Sequence, residues 1–514
     1  MFRQPNSQLR GSDSENSPSP LADRRPSRAG FSLDIFPDRD GTGGRRDPPA
    51  SFWEALGTGT PGQSLGVSPL AQRRSRLPSR AWKVLLAGLF LREAFSFWTG
   101  HPFDFESWVR TGYTVSHGTN PYLAFWPPVP GTSFAYLGQN LSPAAYLPFW
   151  PWVLGELYRA WELVGGGDRF VLYFLLKQPE IFADVASAYL LYRLVEGWSG
   201  ETAPALTILT FWSFFPYAII ITAIWGQFDS IIVLFLLVLL YARTPLERSV
   251  LYGLGIFVKW LTVIFLPLEV FRDRGVRRLL ALVALAIPTG LTVLVFVAEG
   301  WTFQGIGPFS VSQSHGTGEG MNYVYVLTLS SVSAALSPVP YLYSVAGYLW
   351  VPGVIGAGWL AAKWLGKGEP SSELRAMLLV VTVFLLLRWG LYEQYFLYLF
   401  SLLALDAAVF HPGRRALLQF TYGLATVDLL INNDLGLRFL SPINLGISSY
   451  TTAIDANGSW GVFRTYALLV LALVVTATLV QLALTFVRDG EAPRPWPCAL
   501  LGLLNRARVG RAPT

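Results

Sequence analysis

Long apolar runs recur from about residue 82 onward, separated by short polar segments. A helix of about 20 apolar residues is long enough to cross the ~30 Å hydrocarbon core of a bilayer. The pattern therefore predicts an all-α polytopic membrane protein with about ten transmembrane helices. The predicted spans are residues 82–99, 169–196, 203–223, 228–242, 279–298, 342–365, 374–391, 395–410, 415–432 and 463–487.

The distribution of basic loops predicts the orientation of these spans. Short loops rich in Lys and Arg favour the cytoplasmic face, and a cytoplasmic N-terminus places every basic loop there except the isolated Arg438. Those loops are 243–248, 272–278, 363–367, 411–415 and 488–511. Both chain ends are then cytoplasmic, and three long loops, 101–167, 299–341 and 433–462, are external.

One apolar segment, residues 249–271, has basic loops on both sides, so a single crossing would place one of them outside. We therefore expect a re-entrant helix pair, broken near Lys259 or Pro267, that enters the membrane and returns. Non-helical backbone at that depth is tolerated only where it is buried in protein or lines a polar cavity. The segment thus predicts a cavity near Lys259.

The regions outside the spans differ in character. Residues 1–81 are rich in Arg, Ser and Pro without apolar periodicity, which predicts a disordered cytoplasmic tail; 82–487 form the membrane domain and 488–514 a cytoplasmic C-terminal tail. The first external loop is expected to carry a helix at 106–115 and an aromatic interfacial helix at 146–161. The Gly/Ser-rich second loop, around His315, is expected to be a mobile lid.

Composition excludes several classes of protein. Of 514 residues, 52% are hydrophobic and only 14% charged, whereas soluble proteins carry roughly a quarter charged residues. A single cysteine, Cys498, allows neither an intrachain disulfide nor a cysteine-based metal site. The net charge of +6 follows loops and chain ends, so no nucleic-acid partner is predicted. Few Lys beside many Arg, Ala, Gly and Leu favour a prokaryotic cell membrane over the endoplasmic reticulum.

Charged residues inside spans need a partner, water or a function, because a charge at the bilayer centre costs about 2.5–3.5 kcal/mol on insertion scales. In the second span, Lys177, Glu180 and Asp184 share one helix face. Two interpretations are open. Lys177 and Glu180 form a pair that seals a helix interface, or the three side chains form the wall of a pocket.

Polar residues at the external ends of spans form the candidate site. Asp104 and Glu106 follow the first span with one residue between them. An extended backbone would aim both at one place, where two acids serve as base and orienting group or hold a divalent metal such as Mg or Mn. The other candidates, for substrate or donor phosphate, are Trp225, Gln227, Asp229, Lys259, His315, Arg388, Glu393 and Gln394. Helix capping by Asp229 and snorkelling of Arg388 between aromatic anchors are the structural alternatives.

Five motifs occur in a characteristic order. They are Asp-Phe-Glu at 104–106, Gly-Thr-Asn-Pro-Tyr at 118–122, Trp-Gly-Gln-Phe-Asp at 225–229, Gly-Leu-Gly-Ile-Phe-Val-Lys at 253–259 with Leu-Pro-Leu at 266–268, and Tyr-Glu-Gln-Tyr at 392–395. As an ordered set over about 85–430, they resemble the GT-C superfamily. Its members are multi-spanning membrane glycosyltransferases that use polyprenyl-phosphate or dolichyl-phosphate sugars.

The resemblance implies transfer of a hexose, mannose favoured and then glucose, from such a donor with inversion on the external or lumenal face. The acceptor would be a lipid-linked glycan, a glycoprotein glycan or an envelope glycolipid. The resemblance makes Asp104 the general base and Glu106 the second acid, and it places Lys259 near the donor phosphate. Glu393 and Gln394 stand where members often carry Glu-Lys, so Arg388 is expected to supply the missing positive charge.

Two other functions remain open. A transporter or flippase for a lipid-linked sugar or polar solute would also use intramembrane charges and broken helices. The chain has no repeat between its halves, however, and its aromatic first loop is long for a transporter. A non-catalytic assembly subunit is the third possibility, since Glu106 and Gln394 depart from the usual motif residues.

Overall fold

The computed structural model describes residues 77–123, 125–143, 146–242, 244–272, 276–306, 320–328, 348–365, 369–456 and 458–488, with only the backbone of 276–281. All of them fall within one compact unit. The α-helices are α1 (Ser79–Ser96), α2 (Asp104–Ser116), α3 (Phe149–Leu163), α4 (Arg169–Leu176), α5 (Gln178–Ser199), α6 (Thr202–Ser213), α7 (Pro216–Ile219), α8 (Asp229–Leu239), α9 (Pro245–Val258), α10 (Leu266–Arg272), α11 (Val276–Ala298), α12 (Tyr323–Thr328), α13 (Trp350–Ala362), α14 (Pro370–Leu387), α15 (Phe396–Val409), α16 (Arg415–Asn432), α17 (Gly446–Ala456) and α18 (Ser459–Arg488).

The predicted all-helical class is confirmed for the described residues, which add only an isolated antiparallel bridge between Trp126 and Leu141. Two helices, α14 and α18, are each long and apolar enough to cross a membrane. The pair α6 with Pro216–Trp225, bent by 42°, would make a third span. The figure of about ten spans stays a prediction, because several apolar runs form helices that are short or interrupted.

The second predicted span is interrupted at Lys177, between α4 and α5. The buried Lys177 ammonium donates to the carbonyl oxygens of Thr99 (2.7 Å) and Ala223 (2.8 Å). The expected Lys177–Glu180 pair is therefore wrong, and the reason is that the helical repeat does not continue through the break. Asp184 pairs with Arg92 from α1 instead, at 2.7 Å.

The break expected in 249–271 lies at Lys259. Helix α9 starts with a capping box in which Thr244 and Glu247 satisfy each other's backbone N–H groups. It ends at Val258, Lys259 is extended (φ −152°), and a 3₁₀ turn, Trp260–Phe265, leads into α10. Glu269 in α10 accepts from Arg248 near the start of α9 at 2.5 Å. The segment thus turns back on itself, as expected for a helix pair that enters and returns.

The first predicted external loop folds around helices α2 and α3, which agree with both expected helices. The two helices pack closely because a glycine lies at their contact. A Cβ on Gly155 of α3 would lie 2.2 Å from the Val115 side chain of α2. Most of the predicted tail, 1–76, and the C-terminal residues 489–514 lie outside the described residues. So do 307–319 and 329–347, which include most of the second external loop, 299–341, and the start of the predicted span 342–365.

Candidate active site

Asp104 is the first residue of α2, and both its carboxylate and its backbone N–H are held. The indole N–H of Trp225 donates to Oδ2 at 2.8 Å. The His101 ring stacks on Trp225 with 4.5 Å between ring centroids, and its Nδ1 accepts the backbone N–H of Asp104 at 3.2 Å. The Asp104 side chain keeps 24% of its surface exposed. It is therefore both positioned and accessible.

The electrostatic environment makes Asp104 a stronger base than an ordinary aspartate. Burial raises the pKa of its carboxyl above 3.8, although Trp225, Gln227 and Lys259 each pull it down. Burial, with a contribution from Arg438, lowers the pKa of His101 to about 3, so this imidazole is neutral. A neutral ring agrees with an Nδ1 that accepts backbone N–H groups.

Glu106 does not face the same place as Asp104. The extended backbone considered for this pair does not occur, because residues from Asp104 onward are helical and positions two apart point to nearly opposite sides. The Glu106 carboxylate is fully buried, accepting from Arg110 Nε at 2.5 Å and from the backbone N–H of Phe134 at 2.8 Å. Arg110 also donates to four carbonyl oxygens of the same loop, those of Trp126, Ala135, Tyr136 and Gln139. These contacts give Glu106 a structural part in holding the loop.

The proposed metal site at Asp104 and Glu106 does not fit this geometry, since the two carboxylates diverge and one is already engaged. Across the described ranges, no group of three or more His, Cys, Asp or Glu side chains comes together as a metal site would require.

The turn between Trp225 and Asp229 depends on Gly226. This residue adopts φ +86°, a conformation that L-residues rarely adopt, and a Cβ there would lie 2.6 Å from the Phe105 ring. The turn brings Trp225 to Asp104 and buries the Gln227 amide close to it. Neither polar atom of that amide has a hydrogen-bond partner among the described residues.

Lys259 lies in a cage of acidic and aromatic groups. Its ammonium donates to both oxygens of Asp229, at 2.8 and 2.9 Å, and Tyr398 donates to the same carboxylate. The rings of Phe228, Tyr395 and Tyr146 surround the ammonium at 4.8, 5.1 and 5.8 Å. Asp229 therefore does not cap α8, since its carboxylate is used by Lys259. The positive charge of Lys259 is largely balanced inside the protein.

Arg388 is the contrasting cation. Its guanidinium stacks among Trp260, Trp350 and Phe384, at 5.1, 5.5 and 5.8 Å, and only 3% of the residue is exposed. Within the described part of the chain, no carboxylate pairs with it, and its buried Nε has no acceptor. A buried charge without a counter-ion is costly, so this guanidinium is suited to bind an anionic ligand.

A short 3₁₀ turn, Glu393–Tyr395, joins two parts of the region. Glu393 accepts from the Asn432 amide at 2.6 Å, whereas Tyr395 faces Lys259. Gln394 is buried, and its amide oxygen has no donor among the described residues. His315 lies outside the described residues.

Two aromatic residues that sequence reasoning missed connect these groups. The half-buried Tyr146 phenol has its pKa raised well above its usual value by burial and by nearby groups that include Asp104 and Asp229. Tyr398 holds Asp229 from the opposite side. Tyr398 follows Tyr395 by about one helical turn, and this spacing is a signal for Tyr398. Tyr146 begins the predicted aromatic segment 146–161, but nothing in the local sequence marks it as part of the site.

The apolar helices and the polar groups gathered at their breaks define a membrane protein with a buried polar site. Residues 170–388 match the model of glycosyltransferase family 87, a GT-C-type family of membrane glycosyltransferases. This match confirms the GT-C resemblance and indicates a glycosyltransferase; it includes the 225–229 turn, Lys259 and Arg388, but not Asp104 or Glu393. Comparison with curated proteins finds no match.

Proposed function

We propose that this glycosyltransferase moves a hexose from a polyprenyl- or dolichyl-phosphate donor to a hydroxyl of a glycan or glycolipid. Mannose is the favoured hexose and glucose the second choice. The reaction takes place on the external face of a membrane and inverts the anomeric carbon. A prokaryotic cell membrane is favoured over the endoplasmic reticulum as the location of the protein. The observation that carries the proposal is the partly exposed Asp104 carboxylate, held by Trp225 and made more basic by burial.

In the proposed step, Asp104 takes the proton of the acceptor hydroxyl as its oxygen attacks the anomeric carbon. The bond from that carbon to the phosphate oxygen breaks, and the lipid phosphate leaves with the electron pair. A single displacement from the opposite face inverts the centre. The phosphate is a good leaving group, so no general acid is required, and catalysis rests on the base, on orientation and on cationic stabilisation.

The two buried cations differ in what they can offer the phosphate. Lys259 is already paired with Asp229, so a phosphate there would face a carboxylate as well. Arg388 has no such partner among the described residues and presents a fork suited to two phosphate oxygens. We therefore assign the principal phosphate contact to Arg388, and to Lys259 the role of holding Asp229 and the surrounding aromatic rings.

The test compares purified wild type with Asp104→Asn in detergent. Short-chain polyprenyl-phosphate mannose and glucose serve as donors, and a membrane-lipid extract supplies acceptors. Losing a general base costs about 10²–10⁴-fold in rate, so Asp104→Asn is expected to lose at least about 100-fold while still binding donor. Glu162→Gln, an exposed acid of the same loop (37% exposed), is the matched control and should transfer normally.

Sugar transfer by Asp104→Asn at the wild-type rate would remove Asp104 as the base. Donor that wild type binds but never consumes, with several extracts tried, would instead point to the transporter or the assembly subunit.

A further inference from the structure

A small cavity of about 200 Å³ lies beside the Glu393–Tyr395 turn. It is smaller than the roughly 300–1,000 Å³ typical of pockets for drug-sized ligands, a size suited to one sugar ring. Its polar lining comes from the end of α16, the start of α18 and the turn itself. The residues that carry the argument are Tyr392, Glu393, Asp428, Asn432 and Arg464.

Asp428 is the feature that points to a ligand. The residue is only 3% exposed and its side chain lines the cavity. No hydrogen bond or ion pair holds its carboxyl in the part of the chain that the structure describes, whereas Glu393 beside it accepts from Asn432. Burying a carboxyl group without a hydrogen-bond partner is costly. A ligand with hydroxyl groups would supply the missing partner.

The charges around the cavity select against an anion. Two carboxyl groups, Glu393 and Asp428, line it together with one cation, Arg464. That guanidinium is already engaged, by Asp455 at 3.3 Å and by Asn432 at 2.7 Å. Phosphate would therefore meet two carboxyl groups and a cation that already has partners, whereas no carboxylate pairs with Arg388 among the described residues.

A neutral sugar fits the same lining. Carboxyl and amide oxygens accept hydrogen bonds from ring hydroxyls, and the Asn432 amide can also donate. Tyr392 contributes an aromatic side chain to the wall, suited to the apolar face of a sugar ring. The chemistry of the cavity thus matches a polyhydroxyl compound without charge.

Two short connections tie the cavity to the reacting groups. Asn432 is followed by Asn433, whose side chain lies close enough to His101 to raise the pKa of that imidazole, and the His101 ring in turn accepts the backbone N–H of Asp104. On the other wall, the turn that starts at Glu393 ends at Tyr395 beside Lys259. The cavity is thus linked through Asn433 and His101 to the base, and through the turn to Lys259.

We infer that this cavity is the subsite for the glycosyl acceptor and binds a neutral sugar ring of it. The inference rests on the proposed function and extends it, because it separates a neutral acceptor subsite from the cationic place of the donor phosphate. Asp428 is its principal binding residue.

The experiment measures binding, so it does not depend on turnover. Full-length protein in detergent micelles is titrated by saturation-transfer NMR with methyl α-D-mannopyranoside and methyl α-D-glucopyranoside, and separately with mannose 1-phosphate. The variant Asp428→Leu keeps the side-chain shape but removes both oxygens. Asp428→Asn keeps a hydrogen-bonding group, and the exposed Glu162→Gln is the control.

We expect saturable binding of at least one methyl glycoside, weakened at least about tenfold in Asp428→Leu, less in Asp428→Asn, and not at all in Glu162→Gln. The thermal midpoint of Asp428→Leu should equal or exceed that of wild type, because an unpartnered carboxyl is replaced by an apolar group of the same shape. This stability readout separates lost binding from failure to fold.

Three results would overturn the inference. The first is the absence of saturable glycoside binding to wild type up to about 100 mM, far above a millimolar Kd. The second is glycoside binding that Asp428→Leu leaves intact. The third is mannose 1-phosphate binding more tightly than the glycosides and depending on Asp428. Failure of the proposed base is separate, because it appears as normal transfer by Asp104→Asn and not as a loss of glycoside binding.

Discussion

The variants Arg388→Met and Lys259→Met each remove one buried cation. We expect opposite effects, since Arg388→Met should lose donor binding and keep stability, whereas Lys259→Met should lose stability and keep part of the donor binding. Arg388→Met takes away a guanidinium that has no carboxylate partner among the described residues. Lys259→Met takes away one half of an ion pair and leaves the fully buried Asp229 with Tyr398 as its remaining hydrogen-bond donor among the described residues. Methionine fills comparable space in both places without adding a polar group.

The magnitudes follow from these surroundings. Removing one partner of a buried ion pair costs about 3–5 kcal/mol, which is the expected loss in the free energy of unfolding for Lys259→Met. For Arg388→Met, three ring contacts of about 0.5–2 kcal/mol each are lost, but the desolvation cost of an unpaired charge, several kcal/mol, is relieved. We therefore expect its stability to stay within about 1 kcal/mol of wild type.

Donor binding should show the reverse order. Polyprenyl-phosphate mannose at about 100 times its Kd would stabilise wild type by about 2.7 kcal/mol. Arg388→Met should lose most of this stabilisation, whereas the folded fraction of Lys259→Met should keep part of it. Denaturant unfolding in detergent, with and without donor, measures both quantities. A loss above about 3 kcal/mol in Arg388→Met without donor, or a donor effect equal to wild type, would refute the reasoning.

Two further predictions concern the first loop. The rate of transfer should rise with pH, with a midpoint above the ordinary aspartate pKa of 3.8, because burial raises the pKa of Asp104 and the base acts only when deprotonated. Trp225→Phe removes a hydrogen bond that lowers this pKa, so it should move the rise in rate to higher pH. A shift of the pH–rate profile to lower pH in Trp225→Phe would contradict this. Glu106→Gln should lower the free energy of unfolding by about 3–5 kcal/mol, because it breaks the buried pair with Arg110. Denaturant titration measures the loss, and a stability equal to wild type would exclude the structural part given to Glu106.

Local patterns in the sequence were sufficient for the two long apolar helices and for the interruption within 249–271. Apolar runs predicted α14 and α18, and the basic loops around 249–271 predicted a chain that turns back near Lys259. These features depend on neighbouring residues only. A helix makes its backbone hydrogen bonds within itself, and basic loops on both sides of one apolar segment mark where that segment does not cross the membrane once. The family match then covers the motifs at 225–229 and at 253–259 with 266–268.

The same patterns failed where an interaction joins distant parts of the chain. Asp184 was expected to share a surface with Lys177, but its partner Arg92 lies 92 positions away. Glu106 was paired with Asp104 on the assumption of an extended strand, yet its acceptors are satisfied by Arg110 and by the backbone at Phe134. Periodicity describes one element at a time and carries no information about which other element packs against it.

For this protein, the sequence by itself determined the helical membrane class, a reversal within 249–271 and Asp104 as a candidate base. Only the tertiary structure decided that Lys259 is balanced by Asp229, that Arg388 has no counter-ion among the described residues, and that Asp428 lines a cavity. The physical reason is that a charge's function depends on its counter-charges and its access to solvent. Both are set by packing between helices far apart in the chain.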